Sequence, residues 1–203
     1  REERSIMFSK SYGAAIYGID GLLVQVEADV SNGLPCFDMV GFLASEVKEA
    51  KERVRISLKN SEFCLPPKHI TINMSPADIR KEGTAFDFPI AIAILAASGY
   101  ITGEQINDCL LIGELSLNGH LQRVNGILPM AWVASKYGFK RCLVPIENAN
   151  EAAVVTDVEI IGVETLSDAV AYLQGNKIIE PSFVDVDSMF KDLGARQTLD
   201  FAD

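Results

Sequence analysis

The chain has 203 residues, 48% hydrophobic and 23% charged, the balance of a globular protein long enough to bury a sizeable core. Its formal net charge of −10 repels the phosphate backbone on average, which excludes a strong general DNA binder and leaves room only for a local basic face. No apolar run reaches the roughly 18–20 residues that cross a bilayer, so no membrane partner is expected.

The longest apolar candidate, Phe86 to Ala97, is interrupted by Asp87 and Pro89. The opening Arg1-Glu2-Glu3-Arg4-Ser5-Ile6 lacks the apolar stretch of a secretory signal, and the expectation is a cytoplasmic protein. Met7 reads as the natural start, with residues 1–6 as leader material. Cys36, Cys64, Cys109 and Cys142 are far apart, without a C-x-x-C pair or a neighbouring His. A finger-type site presents paired ligands from one turn. No metal is therefore expected, and each cysteine, set among apolar neighbours, reads as a small core side chain.

In chain order, Tyr12 to Val30 predicts two antiparallel strands joined near Asp20-Gly21, a hairpin signal. Pro35 to Phe42 predicts a third strand. Ser45 is positioned to cap a helix to about Leu58, with Val47, Ala50, Val54 and Leu58 on one face. Lys48, Glu49, Lys51, Glu52, Arg53, Arg55 and Lys59 make the other face, either a solvated surface supported by Glu49–Arg53 pairing or a nucleic-acid or partner face. Pro66-Pro67 ends the next loop, and Lys68 to Asn73 predicts a buried strand.

Ser75 to Thr84 is polar and turn-like, and Ala85 to Gly99 predicts a helix buried on most sides. Leu110 to Ser116 and Leu121 to Val124 predict strands around a tight turn at 117–120. Ile127 to Lys136 predicts a helix closed by Gly138, Arg141 to Pro145 a strand, and Asn148 to Val155 a short helix. Glu159 to Val163 and Thr165 to Leu173 predict a last strand and helix. The apolar period fades beyond Gly175, giving one α/β domain over 7–175 and a linker over 176–203.

A phosphate-cradling loop needs G-x-x-x-x-G-K-[S/T]. The nearest stretch, Gly113 to His120, lacks the spacing and the Lys, so no cofactor is expected in this chain. His69 and His120 are the two histidines, and a structural role is the expectation for both.

Three blocks carry a resemblance. They are Ala14-Ala-Ile-Tyr-Gly-Ile-Asp-Gly with Gly33-Leu-Pro-Cys-Phe-Asp-Met-Val-Gly; Glu46 to Ile56 with Ile72 to Ala91; and Gly113-Glu-Leu-Ser-Leu-Asn-Gly with Val124-Asn-Gly-Ile-Leu-Pro-Met. The chain resembles the YifB/ComM family of Mg-chelatase-like AAA+ ATPases over most of Ser9 to Val163, and Leu199 to Asp203 resembles the lead-in to the family's ATPase module. The resemblance implies a ribosomal protein S5 domain 2-like fold, a mixed sheet with packed helices, related to the proteolytic domain of Lon.

It further implies a non-catalytic accessory domain of a hexameric DNA-processing motor, a helicase-like branch-migration machine of natural transformation (competence). ATP and Mg would be bound elsewhere in the full-length protein. Partners would be its own AAA+ module, neighbouring subunits and DNA. Lon-type proteases pair a Ser nucleophile with a Lys base, and by that resemblance Ala85 and Leu128 stand at the two positions, so neither half of the dyad is expected. Arg80 and Lys81 beside that site, with Lys51 and Arg55 on the helix, are the candidate DNA or partner contacts; local salt bridges are the other reading of the loop. Two alternatives stay open: a Lon-like peptidase with a shifted nucleophile at Thr84 or Ser75, using Lys81 or Lys68, and a magnesium-chelatase-type subunit.

Overall fold

A computed structural model describes residues 7–65 and 67–185. The expected leader at 1–6, Pro66 at its loop end, and the linker and lead-in from 186 onward lie outside the described residues.

The chain opens on a hairpin, β1 (Met7–Tyr17) and β2 (Asp20–Ser31), paired antiparallel from Met7↔Val30 to Tyr17↔Asp20. Its turn is Gly18-Ile19, two residues earlier than the Asp-Gly signal placed it. Gly18 has the left-handed φ of 66° that the first position of a tight hairpin turn requires. Gly21 serves packing instead. A Cβ there would lie 2.2 Å from the Pro129 carbonyl oxygen, so the glycine lets a helix seat directly on the strand.

β3 (Cys36–Val40), α1 (Ser45–Asn60) and β4 (His69–Ser75) follow, and the sheet order is β1-β2-β4-β3, with β3 parallel to β4. Alternation decides the buried face. Val24, Val26, Ala28 and Val30 of β2, with Ile70, Ile72 and Met74 of β4, point into the core, and the intervening residues do not. α1 buries Val47, Ala50, Val54 and Leu58 as its periodicity predicts. Its N-cap is Ala44, without a side-chain bond, so Ser45 opens the helix and does not cap it.

α2 (Asp87–Ala97) buries every residue except Ala96. Ile90, Ile92, Ile94 and Leu95 are each 0% exposed, and full burial of such a side chain contributes about 1.5–3 kcal/mol. Pro89 is tolerated because the first turn of a helix has no internal partner for its missing N–H.

The second half holds α3 (Gly103–Ile106), β5 (Cys109–Leu111), β6 (Glu114–Leu115), β7 (Leu121–Gln122) and α4 (Ile127–Lys136). It ends with β8 (Arg141–Pro145), α5 (Ala149–Ala152), β9 (Glu159–Val163) and α6 (Leu166–Leu173). β5, β8 and β9 form a parallel sheet whose residues are buried almost without interruption, as strands covered on both faces must be. β6 and β7 make a separate hairpin.

The expected single strand from Leu110 to Ser116 is thus two strands in two sheets. Gly113 divides them, because its N–H donates to the Ala85 carbonyl at 3.1 Å and its carbonyl accepts from the Phe88 N–H at 3.0 Å. The helix expected over 148–155 is a 3-10 turn at Ile146–Asn148 followed by α5. Within the expected linker, the Ser182 N–H donates to the Ile160 carbonyl at 2.8 Å, so residues near 182 lie along β9. Cys109 and Cys142 are core side chains as expected, whereas Cys36 and Cys64 are exposed.

The architecture is mixed α/β, helices packed on sheets. Among the described residues no helix is long and apolar enough to cross a membrane.

Candidate functional site

The polar loop between β4 and α2 is fixed at Lys81. Its N–H donates to the Phe42 carbonyl at 2.9 Å and its carbonyl accepts from the Ala44 N–H at 3.0 Å, tying the loop to the start of α1. The side chain is wholly buried, and its ammonium donates to the carbonyls of Pro76 and Ile79 in its own loop. Burial pushes the Lys81 ammonium below its ordinary range, opposed by Asp78. The expectation of a surface contact at Lys81 is therefore corrected: the loop carbonyls lack helix or sheet partners, and the ammonium turns inward to satisfy them.

The next turn is held from α1. The Gly83 N–H donates to the Glu46 carboxylate at 3.3 Å, and Glu46 lies below its ordinary range because its own N–H and that of Gly83 both hydrogen-bond to it. Gly83 supplies the left-handed φ of 86°.

This turn forms one wall of a cleft of about 420 Å³, completed by the end of β1 and by Val124, Asn125 and Met130. The polar side chains among its lining residues are those of Glu82, Thr84 and Asn125. Ala85 lines it, and Met130 of α4 lines it too, whereas Leu128 is 39% exposed and is not among the lining residues. Neither Lys nor His is among those residues.

Asp87, at the start of α2, is 0% exposed. It accepts from Arg53 of α1 through Nε at 2.7 Å and Nη2 at 3.0 Å, and from the Leu115 N–H at 3.0 Å. Arg53 also donates to the Glu46 carbonyl at 3.2 Å. Sequence reasoning placed Arg53 on the solvated face and missed this clamp. An acid opening an otherwise apolar helix is the signal, since a buried carboxylate demands a cation.

The other candidate contacts are dispersed. Arg80 is exposed in the loop and pairs with Glu82 at 3.4 Å. Arg55 is exposed on α1 and pairs with Glu52 at 2.8 Å. Lys51 is half-buried, close enough to Cys36 and Asp38 to bias both. The Gly113–His120 stretch is the β6–β7 hairpin, and a Cβ on Gly119 would lie 2.2 Å from the Ser61 hydroxyl.

The model of the family described as subunit ChlI of Mg-chelatase matches residues 26–148, a stretch that carries α1, the loop, the turn and α2. The chain belongs to this family. It is 38% identical over 95% of its length to the competence protein ComM of Haemophilus influenzae, covering 38% of that protein. It is 39% identical over 82% of its length to the protein YifB of Escherichia coli, covering 33% of it. A more distant similarity, 25% identity over 78% of this chain and 26% of the other, links it to the archaeal Lon protease of Methanocaldococcus jannaschii. The chain thus spans roughly a third of the length of these relatives.

Proposed function

We propose that this chain is a non-catalytic accessory domain of a Mg-chelatase-like AAA+ ATPase, with an S5 domain 2-like fold, acting in ring assembly or DNA guidance within a cytoplasmic, hexameric DNA-processing motor. The observation that carries the reading is the cleft at the entrance to α2. A peptidase needs a hydroxyl or thiol within reach of a base. Here Ala85 and Met130 line the cleft, and the neighbouring Lys81 ammonium is bound by the carbonyls of Pro76 and Ile79. His120 follows Gly119 where a phosphate-cradling loop carries its Lys, which supports nucleotide binding outside this chain, with ATP and Mg held by another module. The similarity to ComM supports the competence branch of the reading.

The test uses a full-length protein that carries this domain. ATP hydrolysis raised by branched DNA, in an assembly of six copies, is the expected result. Deleting residues 7–175 should impair assembly or the DNA response. Hydrolysis indifferent to DNA overturns the motor assignment. In parallel, anisotropy of labelled DNA with the 203-residue chain across a salt series reads direct contact. Binding that weakens with salt and is lost in Arg80→Ala/Arg55→Ala assigns guidance to this domain. Absence of binding at low salt leaves assembly as its role.

Thr84 supports the second reading, a Lon-like peptidase, because its hydroxyl is the sole one among the residues lining the cleft. Peptide cleavage abolished by Thr84→Ala would replace the first reading.

A further inference from the structure

The parallel pairing of β3 and β4 brings together residues that lie far apart in sequence. Cys36 is the register partner of His69, and Asp38, two residues on, projects from the same face of the edge strand. The Asp38 carboxylate is 2.9 Å from the His69 Nε2 and 3.6 Å from the Cys36 Sγ, and the three donor atoms all lie within 4.8 Å of one another. This is the group of three such ligands found among the described residues.

We infer that Cys36, Asp38 and His69 form a binding site for a thiophilic divalent cation of the zinc class, with three protein ligands and a fourth position open to solvent. The inference stands independently of the role proposed above. Three arguments carry it.

The first is donor chemistry. One sulfur, one carboxylate oxygen and one imidazole nitrogen make a set suited to zinc or cobalt and poorly suited to magnesium or calcium, which take oxygen ligands. The second is spacing. Bond lengths of 2.0–2.3 Å in a tetrahedral site put neighbouring donors about 3.3–3.5 Å apart. Sulfur and oxygen already stand at 3.6 Å, and nitrogen and oxygen, at 2.9 Å, need to open by only about half an ångström as an ion replaces their hydrogen bond. The third is charge. A thiolate and a carboxylate neutralise a divalent ion, and the thiol proton is released on binding.

Cobalt(II) is the probe, because its thiolate complexes absorb where zinc complexes do not. The 203-residue chain should bind one cobalt ion with a sulfur-to-cobalt charge-transfer band, and zinc should displace it. Cys36→Ser should abolish the band, and His69→Ala should weaken binding by at least about tenfold. Asp38→Ala provides a third arm. Cys64→Ser, at the other exposed cysteine, should bind as the parent does. All four positions are partly or fully exposed, and circular dichroism checks that each variant keeps its fold. Cobalt bound without a thiolate band, a band that survives Cys36→Ser, or one lost in Cys64→Ser overturns the site.

Discussion

Arg53 of α1 clasps Asp87 of α2 through two nitrogens, joining the one charged residue of an apolar helix to the most polar helix of the fold. Burial pushes the Asp87 carboxyl up, while Arg53 and the Leu115 N–H pull it down; the same bonds hold Arg53 firmly charged. Removing one partner leaves an uncompensated charge in the core, so Arg53→Ala should cost about 3–5 kcal/mol. That is a large share of the roughly 5–15 kcal/mol by which domains are stable. The double variant Arg53→Met/Asp87→Leu should recover most of the loss. Urea unfolding measures both, and an Arg53→Ala midpoint equal to the parent's would mean that solvent reaches Asp87.

The seat of α4 on the hairpin gives a second prediction. Gly21→Ala would place a methyl 2.2 Å from the Pro129 carbonyl oxygen and 2.5 Å from a Val133 methyl, and backbone has no rotamer with which to yield. Overpacking of this kind costs about 1–3 kcal/mol. For a chain of this size the expected fall in Tm is about 2–12 °C. Gly18→Ala meets no atom within 4 Å and should cost only its left-handed φ. Equal losses in the two variants would contradict the packing argument.

These two sites also mark what the sequence discloses and what it withholds. α4, β8 and β9 match their expected bounds because local period and a terminal Gly138, with φ of 74°, carry the information. The hairpin was legible, but its turn was displaced because a Gly needed for long-range packing imitates a turn residue. α3 was missed although Thr102 and Gln105 form a capping box, a signal obscured by the brevity of the helix. Of the cleft, the turn at 82–85 was legible from its Gly and polar residues. The inward turn of Lys81 was not, because it depends on which loop carbonyls the fold leaves unpaired. Cys36 and His69 meet only through strand pairing, and spacing along the chain carries no trace of it.

A pH dependence follows from Asp38. The His69 imidazole, then the Cys36 thiol, hydrogen-bond to its carboxylate and hold it below the ordinary 3.8. The unfolded chain lacks these partners and takes up the proton sooner. The contact therefore contributes stability fully above 3.8, and loses it as pH falls through the lowered folded value. Asp38→Asn should flatten thermal stability against pH in that acid window. A slope equal to the parent's would show the contact to be open in solution.

The cleft yields the last prediction. Ala85→Ser sets a hydroxyl into the wall of the 420 Å³ cleft, at the position where the resemblance to Lon-type proteases places a nucleophile. A hydroxyl attacks only when a base within hydrogen-bond reach accepts its proton. The lining offers an amide at Asn125 and a thioether at Met130, the Glu82 carboxylate is paired with Arg80, and the Lys81 ammonium is committed to Pro76 and Ile79. Ala85→Ser alone should therefore cleave no peptide and react with an acylating probe no faster than the parent. Ala85→Ser/Met130→Lys brings an ammonium from α4 to the same cleft and should label faster than either single variant. Cleavage by Ala85→Ser alone would show that a base already reaches the cleft, and the accessory reading of this domain would fall with it.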